Sequence, residues 1–430
     1  MVVENMPNSK LSILMICHHR RHKVFARSCA MAKQLVQRGH KVTLLLIAEN
    51  RRIGIVESQL DGVRIIETPD LLWGRLRSGW DVWDLVNRVF FLSKDKSSYD
   101  LVHCFETRPV TIYPALFYSN RHRVPFITDW NDWYGRGGLI EINRPKWFRV
   151  LLSGVETYYE EAFRTLGSGL TVISRALEQR AIQLGVPPEQ ICYISGGASP
   201  DLFPLRAKEE CRRRLGFSLT DPILGFSSMD SYLDIEIVLK SLARIAKIYP
   251  SVKLILTGNV NKSIMKQAEV YGLRDHIYKT GYLPFEELPW YLGCADIFLL
   301  PFPNKIYNIG RWPNKICDYM CLGRPTVSNP FGDIKTLFEN YPVGLLADFD
   351  PVDFSEKIIS LLEHPDVSSG LGRDARCVAE THYSWPVLAG NLEKFYYQVL
   401  GAQSGIEFAN FSVNKSSDQS SKQGLTCLNR

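Results

Sequence analysis

The 430-residue chain has little that points outside an ordinary reducing interior. Its ten cysteines include no CxxC pair. Most lie in apolar or helical stretches, as Cys17, Cys29, Cys294, Cys317 and Cys321 do, which argues against a disulfide framework or a zinc site. Long apolar runs are absent. The strongest, Val42–Ala48 and Ile297–Pro301, fall far short of the roughly 20 residues that a membrane helix needs. Met1–Lys10 is polar and lacks a signal-peptide core. Charge of one sign is also scarce, 51 Lys and Arg standing against 45 Asp and Glu for a net +6. That excess suits an anionic ligand or membrane surface and is too weak to argue for nucleic acid, for which no motif appears. These absences predict a cytoplasmic chain, or one peripheral at the inner face of a membrane.

What is present is a repeating pattern of short apolar strand, polar break and amphipathic helix. Leu11–Cys17 reads as a strand. Val24–Arg38 reads as a helix with Phe25, Cys29, Ala32 and Val36 on one face, closed at Gly39. Strands at Val42–Ile47, Leu101–Cys104, Val124–Thr128, Thr171–Ser174 and Ile191–Ser195 follow. The segment SGGASPDLFP, Ser195–Pro204, interrupts the series as a linker, with Gly196–Gly197 as its hinge. The pattern then restarts with strands at Ile223–Phe226, Val252–Thr257, Ile277–Lys279, Ile297–Leu300, Thr326–Ser328 and Val343–Leu346. Helices are expected at Glu236–Tyr249, Pro313–Leu322 and Pro351–Leu362. Such alternation is the mark of parallel α/β architecture. The expected organisation is a Rossmann-like domain over 1–197, a second over 198–384, a final helix over 385–400 and a disordered tail over 401–430. Both domains are doubly wound, and ligands in such sheets sit beyond the carboxyl ends of strands.

The richest chemistry lies in Gly310-Arg-Trp-Pro-Asn-Lys-Ile-Cys-Asp-Tyr-Met-Cys-Leu-Gly-Arg-Pro. Pro313 suits a first helical turn, whose free amides and positive dipole favour an anion. Lys315 opposes that dipole unless an anion is near, and Arg311 adds charge. Amides near Asn314, with Arg311 and Lys315, therefore read as a diphosphate site. Asp318, three residues after Lys315, offers acceptors for ribose hydroxyls. The alternative is a plain Lys315–Asp318 surface pair. In the first half, Cys17-His-His-Arg-Arg-His-Lys follows a strand, so His18 and His19 suggest phosphate contact; the alternative is a solvated basic loop. Asp129-Trp-Asn-Asp-Trp-Tyr-Gly-Arg ends another strand. Its mixture of carboxylates and aromatics suits a sugar, with Asp129, Asn131 and Asp132 as candidate catalytic-side groups. The alternative is an Asp–Arg136 pair holding the loop. His103 reads as structural. Arg144-Pro-Lys-Trp-Phe-Arg opens a helix that could lie on an anionic bilayer or simply pack on the sheet.

The segment RWPNKICDYMCLGRPTVSN resembles the donor site of the family 4 retaining glycosyltransferases of GT-B fold. RALEQRAIQLGVPPEQICYISGGASPDLFP, KTGYLPFEELPWYLGCADIFLLP and LMICHHRRHKVFARSCAMAKQLVQRGHKVTLL resemble, in order, that family's passage into the second domain, its Gly-centred strand and its first βαβ unit. The resemblance spans Leu11 to Leu400 and implies a GT-B fold with an interdomain cleft. It further implies a nucleoside diphosphate sugar donor, a glycan or lipid-linked acceptor, retention of configuration and no metal or other cofactor. It places Gly281 and Tyr282 with the donor-binding residues and matches Asp318 to the second of two carboxylates spaced eight apart. The first falls at Gly310, which leaves Asn304, Asn308 or backbone amides to read the sugar. The family's Arg and Lys after the second domain's first strand are missing from SSMDSYLDIE, leaving Ser227 and Ser228, with Arg311 or Arg324 as substitutes. A histidine that the family often carries near the reacting carbon is replaced by Asn131 and Asp132. Two further readings stay open: a GT-B nucleotide-sugar epimerase, and a non-catalytic nucleotide-sugar-binding subunit.

Overall fold

The computed structural model describes residues 9–20, 27–49, 51–71, 79–141, 146–227, 232–258, 260 and 262–403. The chain forms two compact units. One runs to Ser195 and takes in the helix that begins at Trp385; the other is Gly196–Ser384.

In the first unit the strands are β1 Ser12–Arg20, β2 Lys41–Ile47, β3 Val56–Leu60, β4 Val63–Thr68, β5 Leu101–Phe105, β6 Phe126–Trp130, β7 Gly169–Val172 and β8 Ile191–Tyr193. The helices are α1 Arg27–Gln37, α2 Val82–Lys94, α3 Pro109–His122, α4 Lys146–Glu161 and α5 Arg175–Gln183. The sheet order is β3-β4-β2-β1-β5-β6-β7-β8. Only β3 pairs antiparallel, with β4. Ile13, Leu14, Met15 and Ile16 are fully buried, because a central parallel strand is covered on both faces and must be apolar throughout. Asp61 and Gly62 both have positive φ, which gives the β3–β4 hairpin a turn with the strands' own twist.

The second unit contains α6 Lys208–Leu215, β9 Ile223–Ser227, α7 Tyr232–Ile248, β10 Lys253–Thr257, α8 Lys262–Val270, β11 Ile277–Gly281, α9 Leu288–Leu292 and β12 Ile297–Leu300. It continues through α10 Ile306–Ile309, α11 Lys315–Cys321, β13 Thr326–Ser328, α12 Gly332–Asn340, β14 Gly344–Leu346, α13 Pro351–Glu363 and α14 Pro365–Thr381. Its sheet, β11-β10-β9-β12-β13-β14, is wholly parallel. In each sheet the winding reverses beside the unit's first strand, between β1 and β5 and between β9 and β12. Strand ends at such reversals are the places where α/β sheets bind ligands.

The last helix, α15 Trp385–Gln403, folds with the first unit. Leu388, Leu392, Phe395 and Tyr396 join the core of Ile13, Met15 and Leu35. Gly169 permits this approach, since a Cβ there would lie 2.7 Å from the Phe395 ring. The apolar runs mark the parallel strands to within a few residues. Three differences matter. β1 continues to Arg20, so His18-His19-Arg20 is strand and not loop. The β3–β4 hairpin lies where no strand was expected. Helix α15 passes Leu400 to Gln403. The start of the first helix at Val24, and the tail from residue 404, lie outside the described residues. Among the described residues no helix is long and apolar enough to cross a membrane.

Candidate functional site

In the second unit the candidate residues gather on α11 and the loop before it. The loop after β12 is fixed first: Asn329 accepts the Phe302 amide at 3.1 Å and donates to the Ala347 carbonyl. Asn308 is buried, donating to the Pro303 carbonyl at 2.8 Å while its oxygen accepts from Arg311 at 2.8 Å. Arg311 also lies over the Phe302 ring, 4.9 Å from its centroid. Asn308 is therefore committed to holding Arg311 and is not a free sugar-reading amide; Asn304 is exposed. Gly310 caps α10 with φ of −76°, a backbone that any residue adopts.

Helix α11 begins at Lys315, two residues later than the proline pattern suggested. The Ile316 and Cys317 amides already donate to Pro313 and Asn314 carbonyls, both at 3.0 Å. The helix thus offers fewer free amides than a full first turn would. Lys315 Nζ lies 5.4 Å from the Phe226 ring centroid, at the end of β9. Tyr319 stacks on Phe298 at 4.0 Å and accepts the Ser227 amide at 2.8 Å, which locks α11 onto the ends of β9 and β12. Asp318 is half-buried and makes no side-chain hydrogen bond to a described residue. It is enclosed enough that burial pushes its carboxyl up to about 7, with Lys315 pulling the other way. Ser228 and the rest of the loop to residue 231 lie outside the described residues. Arg324 is spent on backbone carbonyls, including those of Ala295 and Leu322, and does not replace the missing phosphate cations. Gly281 is left-handed, φ +69°, with open space beside it, and Tyr282 is 88% exposed. Gly196, expected as hinge, is a close-packing residue: a Cβ there would lie 2.5 Å from the Asn314 side-chain oxygen.

In the first unit the strand ends are more enclosed than the sequence suggested. Asp129 is fully buried, accepting from Arg27 at 3.1 Å and Thr171 at 2.6 Å. Arg27 in turn donates to the Ser195 carbonyl at 2.6 Å. Asp129 is thus an internal ion-pair residue and not a group facing substrate, and its partner is Arg27 rather than Arg136. His18 is corrected in the same way. It is buried, and burial with nearby Arg108 and His19 holds it well below the usual imidazole range. A neutral buried ring cannot serve as a phosphate-binding cation. His19 is half-buried, its ring 4.4 Å from that of His18. His103 bonds Tyr396 at 2.7 Å and Thr171 at 3.1 Å and is pushed down to about 4 by burial, a structural part.

Asn131 and Asp132 remain half-buried after β6, with the Tyr134 hydroxyl donating to Asp132 at 3.2 Å. Two carboxylates that sequence reading missed hold this loop. Glu160 accepts from the Trp130 indole at 3.0 Å and from the Tyr134 and Gly135 amides at 2.6 and 2.5 Å. Glu106, directly after β5, accepts the Asn131 amide at 2.9 Å and lies 3.5 Å from Arg164. Glu106 has φ of +66°, a conformation costing ~1–3 kcal/mol for a non-glycine residue. Burial pushes its carboxyl up to about 8 against the pull of Arg164 and Arg108. A carboxylate following an apolar strand at the sheet reversal was the available signal for Glu106. Glu160 carried none, since it sits near the end of α4 with nothing in the sequence to aim it at the loop after β6. Among the described residues no cluster of His, Cys, Asp or Glu could hold a metal ion.

Comparison with known proteins accounts for both units. Residues 26–197 match the model of the glycosyl transferase 4-like domain, and residues 221–364 match that of glycosyl transferases group 1. A GDP-mannose-dependent alpha-(1-6)-phosphatidylinositol monomannoside mannosyltransferase of Mycobacterium tuberculosis is 22% identical over 245 residues, 54% of this chain and 63% of that protein. For the curated relatives compared, the match spans between 43% and 63% of their length. Sucrose-phosphate synthase of Thermosynechococcus elongatus shares the fold at a TM-score of 0.69 and 16% identity, over 91% of this chain and all of that one. HepE of Anabaena, solved with UDP and glucose, does so at 0.65 and 14%, over 90% of this chain and all of that one. With two family models taking up most of its length and both sheets wound alike, this chain belongs to the group 1, family 4 glycosyltransferases and has their GT-B fold.

Proposed function

We propose that the protein transfers a sugar from a nucleoside diphosphate sugar to a glycan or lipid-linked acceptor, with retention of configuration. The observation that carries this reading is the first turn of α11. The Asp318 carboxylate stands there without a hydrogen-bond partner among the described residues, and the charge of Lys315 acts on it. In this reading Asp318 accepts from the ribose hydroxyls. Negative charge builds on the departing diphosphate as the glycosidic bond breaks, and Lys315 and Arg311 meet it. Because the α11 amides are partly consumed, these two cations carry more of that work than in a site built on a free helix terminus. Asn131 and Asp132 orient sugar and acceptor from a loop that Glu106 and Glu160 hold still. No metal is needed for these steps.

Structures sharing this fold include one bound to UDP, and relatives include an enzyme acting on a lipid-linked mannoside, which supports both halves of the proposal. A lipid-linked acceptor also suits α4, which presents Trp147 at 65% and Val150 at 82% exposure alongside Lys146 and Arg149. The amphipathic face would rest on an anionic bilayer. The deciding experiment is a thermal-shift screen of UDP, GDP, ADP, CMP and their sugars against the wild type, Lys315→Ala and Asp318→Ala. Ligand at about a hundred times its Kd stabilises by roughly 2.7 kcal/mol. A shift with one diphosphate, lost in both variants, supports the site; no shift with any nucleotide overturns it.

A further inference from the structure

The second unit has another cavity, at the opposite edge of its sheet from Ser227 and Lys315. It encloses about 700 Å³. Asp296, directly before β12, and Pro325, directly before β13, lie in its wall, so it opens at the amino ends of strands whose carboxyl ends face α11. The first turns of α6 and α14 complete it.

Its lining contains five cations, Arg206, Lys208, Arg324, Arg373 and Arg376, and two carboxylates, Glu209 and Asp296. Asp296 is already neutralised, at 2.5 Å by Lys208 and 2.7 Å by Arg212. Arg376 pairs with Glu380 at 2.6 Å. Arg324 spends its nitrogens on the carbonyls of Ala295, Leu322, Gly323 and Arg206. That fixes it as a wall, with Asp296 and Glu209 the carboxylates that act on its charge. Arg206 lies over the Trp290 ring, 3.8 Å from its centroid, and its guanidinium makes no hydrogen bond to a described residue. Arg373 is exposed and likewise has none. The result is a positive cavity with one guanidinium held by stacking, a second free to move, and the Ser368 and Ser369 hydroxyls beside them. A planar guanidinium fork held by an aromatic ring is preorganised for bidentate contact with phosphate oxygens. The volume is that of a small-molecule site.

We infer that this cavity binds a phosphate-bearing small molecule through Arg206 and Arg373, at a site separate from α11. The inference does not rest on the proposed glycosyl transfer. Its test is isothermal titration of the full chain with inorganic pyrophosphate, at matched ionic strength, on a Lys315→Ala background that removes the α11 cation. One pyrophosphate per chain should still bind, and adding Arg206→Gln with Arg373→Gln should weaken it at least tenfold. Arg373→Gln alone, a surface change that leaves the fold intact, should weaken it several-fold and keeps the question answerable if Arg206→Gln disturbs the Trp290 stack. Equal displacement by sulfate at the same concentration would reduce the effect to charge screening and overturn the inference. So would binding that is absent from the Lys315→Ala chain or indifferent to both arginines.

Discussion

The two units treat charge in opposite ways. Among the described residues, the first buries Arg27, Arg88, Arg164, Asp84, Glu106, Asp129 and Glu160, most of them joined to one another across the sheet ends; the second buries only Arg212 and Asp333. In the second unit the charges that matter, Arg311, Lys315 and Asp318, stay half-exposed on one short helix and its lead-in. An ion pair out of water is stabilising only while both partners are present. The first unit therefore uses charge as framework, and its loop after β6 is held by it. The second keeps these charges near the surface, with Arg311 held by Asn308 and the Phe302 ring, as a site for a charged ligand requires.

The sharpest way to break this contrast is Asp129→Ala. It strands the Arg27 guanidinium in the interior and should cost about 3–5 kcal/mol of stability, measured by urea unfolding; a cost under about 1 kcal/mol would mean that Arg27 reaches water. Glu160→Ala removes one carboxylate from three donors and should cost roughly 2–3 kcal/mol, with amide exchange of Tyr134 and Gly135 rising first. Lys315→Ala should leave unligated stability nearly unchanged and weaken nucleoside diphosphate binding about ten- to a hundredfold, ~1.4–2.8 kcal/mol. If it destabilised as much as Asp129→Ala, the two units would not differ in kind. The smallest effect concerns pH. Burial raises the Asp318 carboxyl to about 7, so the folded chain holds a proton that the unfolded chain has lost. Stability from this group is present below about pH 4 and declines as pH rises through about 7. Asp318→Asn should therefore raise Tm modestly near pH 8 and not near pH 4. In the wild type, nucleotide affinity should grow over that same rise, because only the ionised carboxylate accepts from both ribose hydroxyls.

The parallel framework was legible because both-face burial writes itself as short apolar runs. The β3–β4 hairpin was not read, since Val56–Leu60 is an edge strand with mostly exposed side chains; yet Asp61-Gly62 between two β-prone segments was a usable turn signal. Lys315, Asp318 and Arg311 could be grouped from sequence because they share one short helix and its lead-in. Asp129 was misassigned because its partner, Arg27, lies 102 residues away. Strand-end position cannot distinguish a carboxylate that faces solvent from one that is paired inward. His18 failed for the same reason: two histidines before two arginines look basic until the strand carries the first of them into the core.

The return of α15 to the first unit bears on how the chain is made. Leu11, Ile13 and Met15 are synthesised long before Leu392, Phe395 and Tyr396, which cover the same core and are added nearly four hundred residues later. The second unit has every strand it needs by then, but the first must wait with an apolar face uncovered. On the ribosome the order of completion is therefore reversed: the unit begun first is sealed last.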